Sequence, residues 1–77
     1  MIRGFILISL VAGFEASALS QISVVPGVEE VTPLFGQWDA IVVVEAENLH
    51  ALGTLVVNQI RGIQGVDRTE TLIATEL

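Results

Sequence analysis

Apolar and polar positions along the chain fall into six blocks with two different periods. From Gly4 to Val11 (GFILISLV) the residues are almost all apolar, many of them β-branched or aromatic. A continuous run of this kind predicts a strand covered on both faces. Gly13 breaks it. Phe14, Ala18 and Ile22 then recur at spacings of four, with Leu19 beside them, which makes one stripe of a helix. Glu15 in its first turn suits the helix dipole. Pro26-Gly27 ends the helical region, since the residue before a proline avoids the α conformation. Val28 to Leu34 predicts a second, more exposed strand, interrupted by Glu29, Glu30 and Thr32. Phe35-Gly36-Gln37-Trp38-Asp39 reads as a turn, and Ala40 to Ala46 as a third, buried strand. Asn48 is a good N-cap for a second helix, with Leu49, Leu52, Val56 and Ile60 as its apolar stripe. Gly53 inside that helix costs about 1 kcal/mol relative to alanine, and Gly62 or Gly65 closes it. Val66 to Leu77 predicts the fourth strand. Its residues Thr69, Thr71, Ile73 and Thr75 share one face, and Glu70, Leu72, Ala74 and Glu76 the other.

The two halves read as copies. Gln21-Ile22 followed by Gly27-Val28-Glu29 returns 38 residues later as Gln59-Ile60 followed by Gly65-Val66-Asp67, and Val25 matches Ile63 at the same offset. One supersecondary unit is therefore used twice, joined by the central stretch from Pro33 to Asn48. The order is βαββαβ, which predicts a single α+β domain over residues 1–77. Its expected form is a ferredoxin-like sandwich, a four-stranded antiparallel sheet with two helices on one face. Both central runs, FILISL and AIVVV, are apolar at consecutive positions, whereas a sheet with one wet face alternates. The open face is therefore expected to pack on a second subunit.

Composition strengthens that expectation. Hydrophobic residues make up 52% of the 77, mean hydropathy is +0.73, and there is no cysteine to supply a disulfide or thiolate metal site. So short a chain cannot hide this much apolar surface alone, which points to a homo-oligomer. The opening segment, Met1-Ile2-Arg3 with the run to Phe14 and Ala16-Ser17-Ala18, has the outline of a signal peptide. The repeat needs that same run as a strand, however, and it is too short for a membrane span of about 20 residues. A cytoplasmic protein with no membrane partner is expected.

The net charge is -6, with nine acidic residues against three arginines, Arg3, Arg61 and Arg68. Nucleic-acid binding needs a basic footprint, and these cations look too few and too scattered for one. No catalytic set is visible. His50 is the only histidine and reads as a solvated helix residue. The carboxylate pairs Glu29-Glu30 and Glu45/Glu47 read as solvated charge rather than metal ligands. No catalytic residue, metal or cofactor is predicted. The densest polar spot is Gly36-Gln37-Trp38-Asp39, where glycine permits a sharp turn and close approach. Asp39 stands at the mouth of an apolar strand, either capping backbone amides or meeting a partner.

Pro26-Gly27-Val28, Gly36-Gln37-Trp38-Asp39 followed by AIVVVEAEN, and Gly65-Val66 with Thr69-Glu70-Thr71 resemble, in that order, the effector-binding (RAM) domain of the Lrp/AsnC transcriptional regulators. The resemblance covers residues 3–77. It implies dimers formed through the sheets, rings of dimers, and an amino-acid effector bound between dimers near the glycine-x-aromatic-aspartate loop. Carried over, it implicates Gly36, Gln37, Trp38 and Asp39, with Thr69 and Thr71, in ligand binding. Two departures stand out: the family's helix-turn-helix domain is not seen here, and basic residues are sparse. A ligand carboxylate would then rely on loop N–H groups, and Asp39 would suit an α-ammonium. The leading expectation is a stand-alone amino-acid-binding module without catalysis, able to join full-length regulators of the family. A small dimeric enzyme of the same fold, such as a cofactor-free oxygenase, and a purely structural oligomerisation unit are the alternatives.

Overall fold

A computed structural model describes residues 1–75. The hydrophobic runs become β1 (Ile2–Leu10), β2 (Val28–Pro33), β3 (Ala40–Ala46) and β4 (Val66–Ile73). The stripes become α1 (Glu15–Ser23) and α2 (Leu49–Leu55), and α2 continues as a π-helical segment over Val56–Ile60. The strands form one antiparallel sheet in the order β2-β3-β1-β4. The expected βαββαβ architecture is therefore present, with each outer strand paired to an inner strand of the other half.

Register decides what each face carries, because side chains alternate across a strand. β1 pairs with β3 from Ile2↔Ala46 to Ile8↔Ala40. Gly4, Ile6 and Ile8 of β1 and Ala40, Val42, Val44 and Ala46 of β3 share the face beneath the helices, and all are buried. Ile22 of α1 and Leu52, Val56 and Ile60 complete this core. On the other face Phe5 lies opposite Val43 and Leu72, and Leu7 opposite Ile41 and Glu70. Within one chain β1 is thus fully covered on one face only: Phe5 and Leu7 are half-buried, not buried as the unbroken apolar run suggested. The surplus apolar surface stands on that open face.

The repeated glycines have a shared structural reason. Gly27 and Gly65 both adopt positive φ, +98° and +102°, a region that favours glycine. Each opens the outer strand of its own half while pressing on the helix of the other. A Cβ at Gly27 would stand 2.7 Å from Leu55 Cδ1, and one at Gly65 would overlap Phe14. Their carbonyls accept hydrogen bonds from Glu45 N–H (2.9 Å) and Val11 N–H (2.8 Å) respectively.

Three local expectations change. Helix α2 starts where Asn48 predicted, with its side-chain oxygen accepting from Ala51 N–H at 2.8 Å. It does not run on as an α-helix, though: Arg61 N–H reaches back five residues to Val56 O at 2.9 Å. Leu49, expected in the buried stripe, is 63% exposed. It aligns instead with Gly53 and Val57, at successive spacings of four, on the flank of the helix. β4 stops at Ile73 and not at Leu77, because β1 is running out: Ala74 N–H still donates to Arg3 O at 3.0 Å, near the start of β1. Glu76 and Leu77 lie outside the described residues.

Candidate functional site

The turn between β2 and β3 is tied to the end of β1 by Asp39. Its N–H donates to Ile8 O at 2.8 Å, and its carbonyl accepts from Leu34 N–H at 2.9 Å. Its carboxylate Oδ2 accepts from Leu10 N–H at 2.7 Å. The β1–β3 pairing ends at Ile8↔Ala40, so Leu10 N–H lies past the last paired residue of β3. The carboxylate takes the place of the missing strand carbonyl. The chain can then leave the sheet at Asp39, and Gly36-Gln37-Trp38 projects beyond it. Phe35 at the tip is fully exposed, and Gly36 has open space around it.

Trp38 is half-buried beside the start of β4. The guanidinium carbon of Arg68 stands 5.1 Å from its ring centroid, a cation–π contact. Between the turn and β4 opens a cleft of about 550 Å³. Gln37 and Trp38 supply one wall. Arg61, at the end of the π-helical segment, and Asp67, Arg68, Thr69 and Glu70 of β4 supply the rest, with Val66. Two arginines and two acidic residues therefore border one hollow, which wraps the edge strand β4: the register turns Thr69 toward the helices and Glu70 toward the open face. A second cleft of about 450 Å³ runs between α2 and β4 and is mostly apolar, lined by Leu49, Leu52, Val56, Val57 and Ile73, with Gly53 and Thr71. Arg61 and Thr69 line both clefts.

The fold brings together some of the residues expected at a site and not others. Gln37, Trp38 and Thr69 line the charged cleft, and Thr71 lines only the apolar one. Gly36 and Asp39 line neither; Asp39 commits one carboxylate oxygen to Leu10 N–H. Sequence reading missed Arg61. It counted the three arginines as scattered, and assigned a ligand carboxylate to loop N–H groups. The fold places two of the three, Arg61 and Arg68, on one cleft. The available signal was Arg61's place directly after Ile60, the last buried residue of its helix, in a topology where that helix hands over to β4. Among the described residues no polar or charged side chain is fully buried. None of their His, Asp and Glu side chains gather in threes to hold a metal. His50 is exposed on α2. Such a surface can bind a small charged molecule through several hydrogen bonds.

Comparison with known proteins places this geometry. A family model described as the Lrp/AsnC ligand binding domain matches residues 4–77. An uncharacterized HTH-type transcriptional regulator of Pyrococcus abyssi is 39% identical over 54 residues, covering 70% of this chain and 36% of that protein. A Pyrococcus horikoshii regulator matches to the same extent. The match thus takes in little more than a third of the length of these curated relatives. Among solved structures, a Thermus thermophilus protein superposes with a TM-score of 0.94 at 31% identity, over 100% of this chain and 96% of that one. E. coli AsnC superposes with a TM-score of 0.91 at 28% identity, over 99% of this chain and 52% of that one.

Proposed function

The chain belongs to the Lrp/AsnC ligand binding domain family, and from that premise we propose that it is a cytoplasmic regulatory module that binds a free α-amino acid in the cleft beside Trp38 and works through assembly with further copies. The observation that carries this reading is the meeting of both charge signs in one cleft. A zwitterion needs a cation for its carboxylate and an anion for its ammonium. Arg61 offers the planar fork that binds carboxylates bidentately, and Asp67 offers the anion. Gln37 and Thr69 add uncharged hydrogen bonds. Arg68, stacked on Trp38, stiffens the wall. Asp39 acts as a positioning residue, holding the turn that carries Gln37 and Trp38, and Gly36 lets that turn form.

Assembly is supported by the open sheet face, where Phe5, Leu7, Ile41, Val43 and Leu72 form an apolar centre between Arg3, Glu30, Glu45 and Glu70. A second copy of the same face would cover it, giving a dimer. The exposed Phe35 offers a contact for joining dimers into a ring, or for joining regulators that carry the same domain. With three basic residues in the whole chain, direct nucleic-acid binding is not part of the proposal. Among the described residues no helix is long and apolar enough to cross a membrane.

Calorimetric titration of the protein with each of the twenty amino acids tests the reading. At least one should bind. Arg61→Gln should weaken it about ten- to a hundredfold, the worth of a charged hydrogen bond. No binding by any of the twenty refutes the amino-acid reading. Unchanged affinity in Arg61→Gln moves the ligand out of this cleft.

A further inference from the structure

We propose that helix α2 and its π-helical extension form a second self-contact: the flank carrying Leu49, Gly53 and Val57 packs antiparallel on the same flank of another copy, with Gly53 facing Gly53. This flank lies on the helix side of the sheet, opposite the open face that Phe5 and Leu7 occupy. One chain can therefore make both contacts at once.

Three observations lead here. The first is exposure without charge. Leu49 is 63% and Val57 55% exposed, and they stand four residues to either side of Gly53. A surface helix usually turns charged residues to water, yet no Asp, Glu, Lys or Arg lies between Glu47 and Arg61. The flank can meet a copy of itself without setting like charges together.

The second is shape. Glycine is a poor residue inside a helix, and no packing within the chain explains Gly53. Its φ is not in the positive region, and nothing stands within 4 Å of where a Cβ would be. With His50, Thr54, Val57 and Asn58 it lines a shallow hollow of about 370 Å³. Residues 50, 53, 54 and 57 have the i, i+3, i+4, i+7 spacing of the hole that a facing helix fills. The bare glycine at its centre lets that helix come close.

The third is charge at the two ends, which selects the occupant and its direction. Glu47 stands just before the N-cap of α2, and Arg61 ends the π-helical segment; both are exposed. About a two-fold axis at Gly53, Leu49 meets Val57 of the second copy. Glu47 of each copy then lies two residues, about 3 Å along the axis, from the level of Arg61 of the other. A parallel pairing would set Glu47 beside Glu47 and Arg61 beside Arg61. The flank thus complements itself only when reversed, as a two-fold contact requires.

The chain has no cysteine, so single introduced thiols report the contact. Helix axes about 8–10 Å apart, with each Cα about 2.3 Å from its axis, bring facing Cα atoms to roughly 3.5–5.5 Å, within reach of a disulfide. Under oxidised glutathione, Gly53→Cys should cross-link two chains about a hundredfold faster than Ser20→Cys, because contact raises micromolar thiols toward a millimolar effective concentration. Ser20 is an exposed position on α1, and a non-reducing gel reads both rates. Leu49→Glu should keep the wild-type circular dichroism, abolish the advantage when combined with Gly53→Cys, and lower the mass of the assembly by light scattering. Equal rates for the two cysteine variants overturn the antiparallel contact. So does a Leu49→Glu protein whose mass matches the wild type. Neither result bears on the amino-acid reading, which titration decides separately.

Discussion

Replacing Asp39 by alanine tests the link between the sheet and the turn that carries the candidate site. The carboxylate accepts from Leu10 N–H at 2.7 Å across 29 residues of sequence and is partly buried. A hydrogen bond to a charged group contributes about 1.5–3 kcal/mol. Because the pair is only partly buried, water can reach Leu10 N–H in the variant, and the lower end of that range applies. A loss of about 1.5 kcal/mol, at roughly 4–8 °C per kcal/mol for a domain this small, lowers the melting temperature by about 6–12 °C. The melt must be run at one fixed protein concentration, since self-association shifts it by mass action. Amide exchange adds a local readout: Leu10 N–H should lose protection while Ile6 and Ile8, in the covered core, keep theirs. Asp39→Asn retains an acceptor of similar shape and should fall between alanine and the wild type. An alanine variant that melts with the wild type and keeps Leu10 protected would show that the carboxylate does not hold the turn. If it instead lost amino-acid binding outright at unchanged stability, Asp39 would be a direct ligand contact.

Three further substitutions probe the fold and the assembly. Gly65→Ala forces a Cβ into Phe14 at φ +102°, whereas Gly36→Ala, at φ +134°, meets open space; the first should cost about 1–3 kcal/mol more than the second in urea denaturation, the usual penalty for overpacking, and equal costs would mean that the Phe14 contact gives way freely. Leu7→Glu places a second carboxylate beside Glu70 on the open sheet face. It should leave the fold intact by circular dichroism but convert the wild-type oligomer to an 8.2 kDa monomer by light scattering; a wild type that is already monomeric at micromolar concentration removes the sheet face as an interface.

The sequence patterns that proved legible are those carried by single elements. Alternation and stripes report which side of a strand or helix is covered, so the strands, both helices and the side assignments of Thr69, Thr71 and Ile73 against Glu70 and Leu72 could be read before any coordinates. Where reading failed, the cause lay between elements. The apolar runs of β1 and β3 showed that both faces want cover, and the expected layer order already left the cover of one face to a second subunit; the contacts made by single residues were harder to read. Asp39 and Leu10 are distant in sequence and meet only because β3 begins at Ala40. Arg61 and Arg68 lie seven residues apart, with Gly62 and Gly65 between them, and nothing local shows that the helix end and β4 face the same turn.

The π-helical segment belongs to a different class, because its signal was present and had a physical meaning. Leu52, Val56 and Ile60 recur at strict spacings of four. In an α-helix of 3.6 residues per turn, each step of four carries the side chain about 40° past its predecessor. Two such steps would swing Ile60 about 80° away from Leu52, off the sheet. Yet all three are nearly inaccessible, at 1%, 5% and 0% exposure. Widening the last turn to an i→i+5 bond, as Arg61 N–H to Val56 O shows, rotates the chain less per residue and returns Ile60 to the covered line. Helix α1 needs no such turn: only Ala18 and Ile22 are buried on it, a single step of four. The requirement that three residues at two successive spacings of four stay buried thus selects the wide turn. That turn also fixes where Arg61 leaves the helix, on the wall that the two clefts share. Burial of Ile60 and placement of the candidate carboxylate-binding cation are therefore one structural event, set by hydrophobic spacing rather than by any polar contact.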